Sequence, residues 1–449
     1  MAQRRPNIIF ILGDDWGWGD LGCFGHNRLQ TPHLDQLAAD GARFTQFYVA
    51  APVCSPSRVS FMTGRFPGEL GVHIIYATAE QNRARGMADW LDPQIPTLPR
   101  LLQQAGYVTA HFGKWHLGHG PNAPEPGAYG FDTHRSTASN GPSWEGGREL
   151  NNPDQVAMFR PRSSELIVDE TLHFIEANRD RPFFVQAWLH DPHATLDPTA
   201  EQMAPYRHLS PPGVTHVGAP TIYYSVVTNA DRQIGRLLQR LEALGLAENT
   251  IILFTGDNGP EDILVSNASH SGVGSSGPFR GRKRSLYEGG VRMPLIVRWP
   301  GHVPAGAVDN DSVFSSVDFL PTLCTLASAR LPEGWQGSGE DRSAALQGDS
   351  LARRTPLYWE WRFAIIGHVL HRSPMLAIRD GSWKLLLNPD RSRIELYDIP
   401  RDPMELNNLA AAEPAVVARL AEQALVWHAS LPAGPSVPTA GSNAYPWPT

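Results

Sequence analysis

Cysteine is scarce: Cys23, Cys54 and Cys324 are the only three in a chain of 449 residues. Three scattered thiols exclude a disulfide framework, and Cys23 and Cys324 read as ordinary buried thiols. Long apolar runs are missing as well. Nothing approaches the ~20 consecutive apolar residues of a membrane span, so no membrane association is expected. Nor is positive charge in excess: 38 Lys and Arg stand against 45 Asp and Glu, a formal charge of −7. That balance speaks against a nucleic-acid partner, which calls for a basic face. Any anionic ligand must therefore be met by cations gathered locally. The start, Met1-Ala2-Gln3-Arg4-Arg5-Pro6, runs straight into a core-like strand without a signal peptide. It predicts a cytoplasmic protein, or a periplasmic or secreted one if a leader has been removed. Repeats and low-complexity tracts are absent, and nothing in the sequence speaks to oligomeric state.

What is present alternates. Asn7 to Leu12 reads as a buried strand, and Leu34, Leu37 and Ala38 follow a helical spacing. Helix is expected from Leu98 to Gln104, strand from Tyr107 to Phe112, helix from Ser164 to Asn178 and strand from Phe183 to Leu189. A helix from Asn229 to Leu244 and strands at Thr250 to Thr255 and Leu295 to Trp299 continue the series. This predicts an α/β domain over residues 1–330, with a large, mostly parallel sheet between helices. A linker rich in Gly, Glu and Ser is expected over 331–355. Residues 356–449 then read as a small α+β subdomain. Its strands are Leu357 to Trp361, Met375 to Arg379, Trp383 to Leu387 and Glu395 to Asp398, with Asp380-Gly381 as a hairpin turn. A helix from Glu413 to Ala429 completes it.

Four strands of the large domain run into polar clusters: Gly13-Asp14-Asp15, Gly113-Lys114-Trp115-His116, His190-Asp191-Pro192-His193 and Gly256-Asp257-Asn258-Gly259. Ligands of open α/β sheets bind beyond the carboxyl ends of the strands. A polar loop after one strand is ordinary; four such loops together predict a site. Asp14, Asp15, Asp257 and Asn258 offer hard oxygen ligands, suited to Ca²⁺ or Mg²⁺. Without a cation, carboxylates meeting at one point would repel. Lys114, His116, His193 and Lys283 supply donors and positive charge for an oxyanion.

Cys54 opens Cys54-Ser55-Pro56-Ser57-Arg58. Pro56 fits the first position of a helix and Ser55 its N-cap, which places Cys54 at a helix N-terminus that favours an anion. A thiolate is soft and matches hard oxygen ligands poorly, so the functional atom at this position is expected to be oxygen.

These residues resemble the type I, formylglycine-dependent sulfatases, the arylsulfatase-like branch of the alkaline phosphatase superfamily. Cys54-Ser55-Pro56-Ser57-Arg58 matches the family's C-x-P-S-R, whose cysteine is converted to formylglycine. Asp14-Asp15-Trp16-Gly17-Trp18-Gly19-Asp20 matches the opening D-D-x-G-x-G-D. The G-Y-x-T and G-K-x-H signature runs from Gly106 to His116. Asp257-Asn258-Gly259, Lys283 to Pro294, and Leu396 to Leu409 match further family elements in order. The motifs stand nearest to arylsulfatase A and N-acetylgalactosamine-6-sulfatase.

The resemblance implies the alkaline phosphatase-like fold, hydrolysis of sulfate monoesters of carbohydrates, and maturation by a formylglycine-generating enzyme. It implies that Asp14, Asp15, Asp257, Asn258 and the modified Cys54 bind one divalent metal, Ca²⁺ or else Mg²⁺. Arg58 would hold the formylglycine hydrate, Lys114 and Lys283 the sulfate oxygens, and His116 would assist the hydrate. His193, or as second choice His190, would serve the leaving group. A further polar position falls to Ser139 or Ser143. Two alternatives stand beside this reading: a phosphonate monoester or phosphodiester hydrolase of the same superfamily, and a catalytically silent binding protein.

Overall fold

β1 (Asn7–Gly13) has no polar alternation, and every residue in it is buried. A strand of that composition needs cover on both faces, and it has it. The computed structural model describes residues 5–444 apart from 119, 121, 140–159, 211, 213–216, 266–269 and 350. β1 lies inside a nine-stranded sheet with β2 (Ala42–Tyr48), β3 (Val108–Lys114), β4 (Thr133–Thr137), β5 (Phe183–Trp188), β6 (Thr250–Gly256), β7 (Arg292–Arg298), β8 (Ala307–Asp309) and β9 (Phe314–Ser315). The order is β4-β3-β5-β1-β6-β7-β2-β8, with β9 also on β2. Pairing is parallel from β4 through β6, and β7 runs antiparallel to both β6 and β2.

One consequence governs function. β3, β5, β1 and β6 are consecutive neighbours and parallel, so their carboxyl ends, and the four polar clusters that follow them, emerge side by side. The faces of β1 alternate as a period of two requires. Ile8, Phe10 and Leu12 join one core and Ile9 and Ile11 the other.

The second sheet is antiparallel, in the order β10 (Leu357–Glu360), β11 (Leu376–Asp380), β12 (Trp383–Leu387) and β13 (Glu395–Asp398). Asp380 pairs with Trp383, so the turn is Gly381-Ser382, with Gly381 at φ 60°, one residue later than the expected Asp-Gly turn. Leu376, Ile378 and Leu385 pack on Leu420, Ala421 and Ala424 of the Pro414–Ser430 helix. Leu357, Trp359, Ala377 and Leu386 on the other face join the core of the large sheet. The segment 331–355 carries a short helix, Ser343–Leu346, and buries Arg342 and Leu346. Among the described residues no helix is long and apolar enough to cross a membrane. Cys324 is buried, Cys23 half-buried and both are unpaired. Trp16, Trp115, Trp188, Trp299, Trp359 and Trp361 are buried and serve packing.

Charge also crosses the seam between the sheets. Lys384 Nζ lies 2.8 Å from Glu288 Oε1 and 3.0 Å from Glu405 Oε1, with all three side chains fully buried. Removing one member of a buried ionic group strands the others. Lys384→Met is therefore expected to cost about 3–5 kcal/mol, seen as a lower urea midpoint; an unchanged midpoint would remove this group from the account of stability.

Candidate active site

The backbone around Asp14 and Asp15 is tightly specified. A Cβ on Gly17 would sit 2.2 Å from Ser275 O, and one on Gly19 2.5 Å from Gly277 N, so both positions of the D-D-x-G-x-G-D motif exclude side chains. Asp20 closes the loop: its carboxylate accepts from Gly17 N–H at 2.9 Å, Ser275 N–H at 2.9 Å and Tyr223 Oη at 2.8 Å. Asp20 thus has a scaffolding role. Asp15 takes a left-handed φ of 63°, which Asp tolerates better than most residues. Its N–H donates to Asp257 Oδ1 at 3.0 Å, tying the loop after β1 to the loop after β6.

Cys54 begins the Cys54–Thr63 helix and is buried. Here the expected cap is corrected. Val53 is the N-cap, the helix starts before Pro56, and Ser55 Oγ instead accepts from Tyr76 N–H at 3.2 Å. Proline fits the first turn because N–H groups there lack intrahelical acceptors. Arg58, one turn on, is fully buried. Its Nε and Nη2 donate to Asp257 Oδ2 at 3.1 and 2.7 Å, its Nη1 to Lys114 O at 2.8 Å, and its guanidinium packs 5.0 Å from the Trp188 ring centre. Nη2 also stands 3.7 Å from Asp14 Oδ1.

Two lysines complete the floor. Lys114, the last residue of β3 rather than a loop residue, places Nζ 2.5 Å from Asp14 Oδ2. Lys283 Nζ lies 2.5 Å from Asp15 Oδ1. Asn258 Nδ2 donates to the same Asp15 oxygen at 2.7 Å. His193 Nε2 is 3.7 Å from Asp15 Oδ2, while its Nδ1 meets Ala194 O at 2.8 Å. His116 Nε2 lies 3.3 Å from Ser139 Oγ, so Ser139 is at the site; Ser143 lies outside the described residues. His190 is buried, with Nε2 2.7 Å from Thr137 Oγ1.

Electrostatics follow from burial and these neighbours. Burial, then Asp14, push Asp257 up to about 6 against Arg58 and Lys114. Burial would raise Asp15 too, but Lys283, His193 and Lys114 outweigh it and hold it well below the carboxylate range. Burial first, then Lys114 and Arg58, keep His116 neutral. His193 is held down to about 3 by burial and Lys283, against the pull of Asp15. Burial pushes the Cys54 thiol up to about 12.

The site fits a hard divalent cation. Asp14 Oδ1, Asp15 Oδ2 and Asn258 Oδ1 are buried oxygens with no hydrogen-bond partner. Asp14, Asp15, Cys54 and His193 each bring a ligand atom within 4.8 Å of the others. Asp257 is outside that foursome: one oxygen takes the Asp15 N–H, the other Arg58.

Sequence reasoning missed two members. Glu261 is buried and receives Arg284 Nη1 at 2.5 Å and Nη2 at 2.9 Å, with Lys283 Nζ at 3.7 Å. Its place four residues after Asp257, in Gly259-Pro260-Glu261, was the available signal.

Comparison with known proteins identifies the family. Residues 6–329 match the sulfatase family model, and residues 277–426 match the C-terminal model of N-sulphoglucosamine sulphohydrolase. Human arylsulfatase A is 31% identical over 484 aligned residues, covering 95% of this chain and 88% of that protein. Canine N-acetylgalactosamine-6-sulfatase is 34% identical over 382, covering 80% and 69%. Among solved structures, Ps i-CgsB in complex with k-i-k-neocarrahexaose superposes with TM-score 0.79 at 26% identity, covering 96% of this chain and 94% of that one. With a mostly parallel sheet that seats aspartates, lysines and a C-x-P-S-R cysteine at one edge, the chain belongs to the sulfatase family, with the alkaline phosphatase-like fold, and is a sulfatase enzyme.

Proposed function

We propose that the enzyme hydrolyses sulfate monoesters of saccharides through a formylglycine hydrate made from Cys54. One observation carries this reading: Cys54, at a buried helix N-terminus, shares a 4.8 Å cluster with Asp14, Asp15 and His193. A thiol that burial holds protonated up to about 12 is a poor nucleophile at neutral pH, which supports an oxygen nucleophile at this position. The saccharide assignment rests on Ps i-CgsB, solved with neocarrahexaose, and on the N-acetylgalactosamine-6-sulfatases. Maturation requires a formylglycine-generating enzyme.

Asp14, Asp15, Asp257, Asn258 and the modified residue 54 would hold one divalent ion, Ca²⁺ or Mg²⁺. When bound, it supplies Lewis acidity toward the hydrate and the sulfuryl oxygens. Arg58 orients the hydrate, and Lys114 and Lys283 take the sulfate oxygens. One hydrate hydroxyl, its proton released to solvent, attacks sulfur as the alkoxide while the bond from sulfur to the alcohol oxygen breaks. The departing oxygen takes a proton from His193. His116, neutral and with a buried, unpartnered Nδ1, then accepts the proton of the second hydroxyl. The C=O bond re-forms, the C–O bond to sulfate breaks, and the aldehyde returns.

His193 must carry a proton for its role. A sulfate monoester seated between the lysines brings the negative charge that raises its pKa, so proton and substrate bind together. A general acid matters most for poor leaving groups. His193→Ala is expected to lose about 10²-fold more kcat/KM on an alkyl sulfate than on 4-nitrophenyl sulfate. Equal losses on both would remove His193 from that role.

The choice of sulfur over phosphorus rests on Asn258. An Asp-Asn pair keeps the donor set all-oxygen, whereas an imidazole there would admit softer metals. Sulfate monoesters are expected to exceed matched phosphate and phenylphosphonate esters by at least about tenfold in kcat/KM, about 1.4 kcal/mol. The three 4-nitrophenyl esters measured on modified enzyme decide it. A preference for either phosphorus ester moves the protein to the phosphonate and phosphodiester branch, and no turnover of any leaves a silent binding protein.

A further inference from the structure

The segment Arg282-Lys283-Arg284 places three cations in a row, and each does something different. Arg282 is spent on the backbone: its Nη2 donates to Glu261 O at 2.7 Å, Gly272 O at 2.9 Å and Gly274 O at 2.7 Å. Lys283 points to Asp15. Arg284 has no part in the chemistry above, yet the fold holds it beside the nucleophile in an unusual conformation. Its φ is 72°, a region that costs an ordinary side chain energy and persists where surroundings enforce it. Its N–H donates to Pro52 O at 2.8 Å, two residues before Cys54. Its guanidinium is locked by the two contacts to Glu261. Asp15 acts on that guanidinium electrostatically.

Exposure separates Arg284 from its neighbours. Its side chain is 19% exposed, while those of Lys283 and Glu261 are 3% and 4% exposed. It is the member of this group that solvent, or a substrate, reaches. A guanidinium has five N–H donors in a plane. Glu261 takes one from each terminal nitrogen, and Nε–H with the second N–H of each terminal nitrogen remain. Lys283 is held mainly by Asp15 at 2.5 Å and Glu261 mainly by Arg284, so the uncommitted N–H groups of the fork, rather than an excess of charge, are what it offers an anion. A rigid, charged, half-satisfied fork suits a planar or tetrahedral oxyanion.

We propose that Arg284, held in place by Glu261, is a specificity-determining residue that binds a second anionic group, a carboxylate or a second sulfate, on the saccharide bearing the scissile sulfate ester. The inference rests on the sulfate-ester reading of the site and adds a preference for polyanionic substrates. Glu261 acts as a positioning residue. Arg284 fixes the distance at which the second charge must stand from the first, so it acts chiefly on substrate binding.

The test compares two substrates: a monosulfated hexose with no other charge, and the same hexose carrying a second sulfate. Wild type is expected to prefer the disulfated sugar. Arg284→Gly is the best truncation, since glycine adopts φ 72° without strain. It is expected to cut the disulfated-to-monosulfated ratio of kcat/KM by at least about tenfold, mainly through KM. Arg284→Lys keeps the charge but not the fork and should recover part of the ratio. A ratio unchanged within twofold in both variants, with both substrates losing activity in parallel, would make Arg284 a structural residue and overturn the proposal. A wild type that prefers the monosulfated sugar would overturn it too. If wild type turns over neither sugar but does hydrolyse 4-nitrophenyl sulfate, the saccharide assignment and this proposal fall while the sulfatase chemistry stands.

Discussion

Cys54→Ser is expected to lose roughly 10⁴-fold or more in steady-state turnover while the protein stays folded. Serine replaces a buried side chain of nearly the same size, and the residue 54 backbone remains at the start of the Cys54–Thr63 helix. Chemistry forbids more than one cycle. A serine oxygen that attacks sulfur becomes a sulfate ester on a carbon with no second hydroxyl, and nothing can collapse to expel sulfate. The hydrate of an aldehyde has that second hydroxyl. The variant should show at most a stoichiometric release of 4-nitrophenol and then stop. Sustained multiple turnover by the serine variant would require a water that attacks the sulfated residue directly, contrary to the mechanism.

The second large effect is at Asp257. Its loop position alone suggests that Asp257→Ala would spare the fold, since loops at strand ends carry function and the core carries stability. The structure changes that expectation. Asp257 Oδ2 is the close carboxylate partner of fully buried Arg58, at 2.7 Å, and Asp14 stands off at 3.7 Å. Alanine would strand a buried guanidinium and cost about 3–5 kcal/mol. Asp257→Asn keeps an oxygen toward Arg58, gives up the bond from the Asp15 N–H to Oδ1 and removes one negative charge from the metal ligands. It is the cleaner probe, expected to lose roughly 10³-fold or more in kcat, the several kcal/mol a bound cation contributes. Added Ca²⁺ should shift its melting temperature less than that of wild type. Unchanged turnover, in this variant or after exhaustive chelation, would exclude Asp257 and its neighbours as a metal site.

How much of this was legible depended on how each residue is held. β1, β5 and β6 are fully buried and largely apolar, and β3, though Thr109 and His111 interrupt it, is buried from Thr109 onward, so their ends, and the polar clusters after them, could be located from hydrophobicity. β2 was not seen because Ala42-Arg43-Phe44-Thr45-Gln46 mixes polar residues into the run, with Arg43 and Thr45 only half-buried. β4, Thr-His-Arg-Ser-Thr, is an edge strand without an apolar face. The helix expected from Asn229 starts at Ala219, because Thr, Ile, Tyr and Val in its first turns speak for strand until tertiary packing overrules them. Of the residues named from the sequence, Asp14, Asp15, Cys54, Arg58, Lys114, His193, Asp257, Asn258 and Lys283 are joined by direct contacts or share one cluster of ligand atoms, while His190 bonds Thr137 and Ser143 lies outside the described residues. Glu261 and Arg284 escaped notice because their pairing depends on a 23-residue separation closed only in three dimensions. Ser55 was misread for a local reason: its hydroxyl has a better acceptor role toward Tyr76 N–H than toward its own helix.

The central claim is that residue 54 works as an aldehyde. The most direct test is the mass of the peptide that contains Cys54, taken from enzyme of known specific activity made with and without a formylglycine-generating enzyme. The account predicts the aldehyde or its hydrate in the active preparation, a thiol in the inactive one, and activity proportional to the modified fraction. Full activity in a preparation whose residue 54 is wholly a thiol would contradict it.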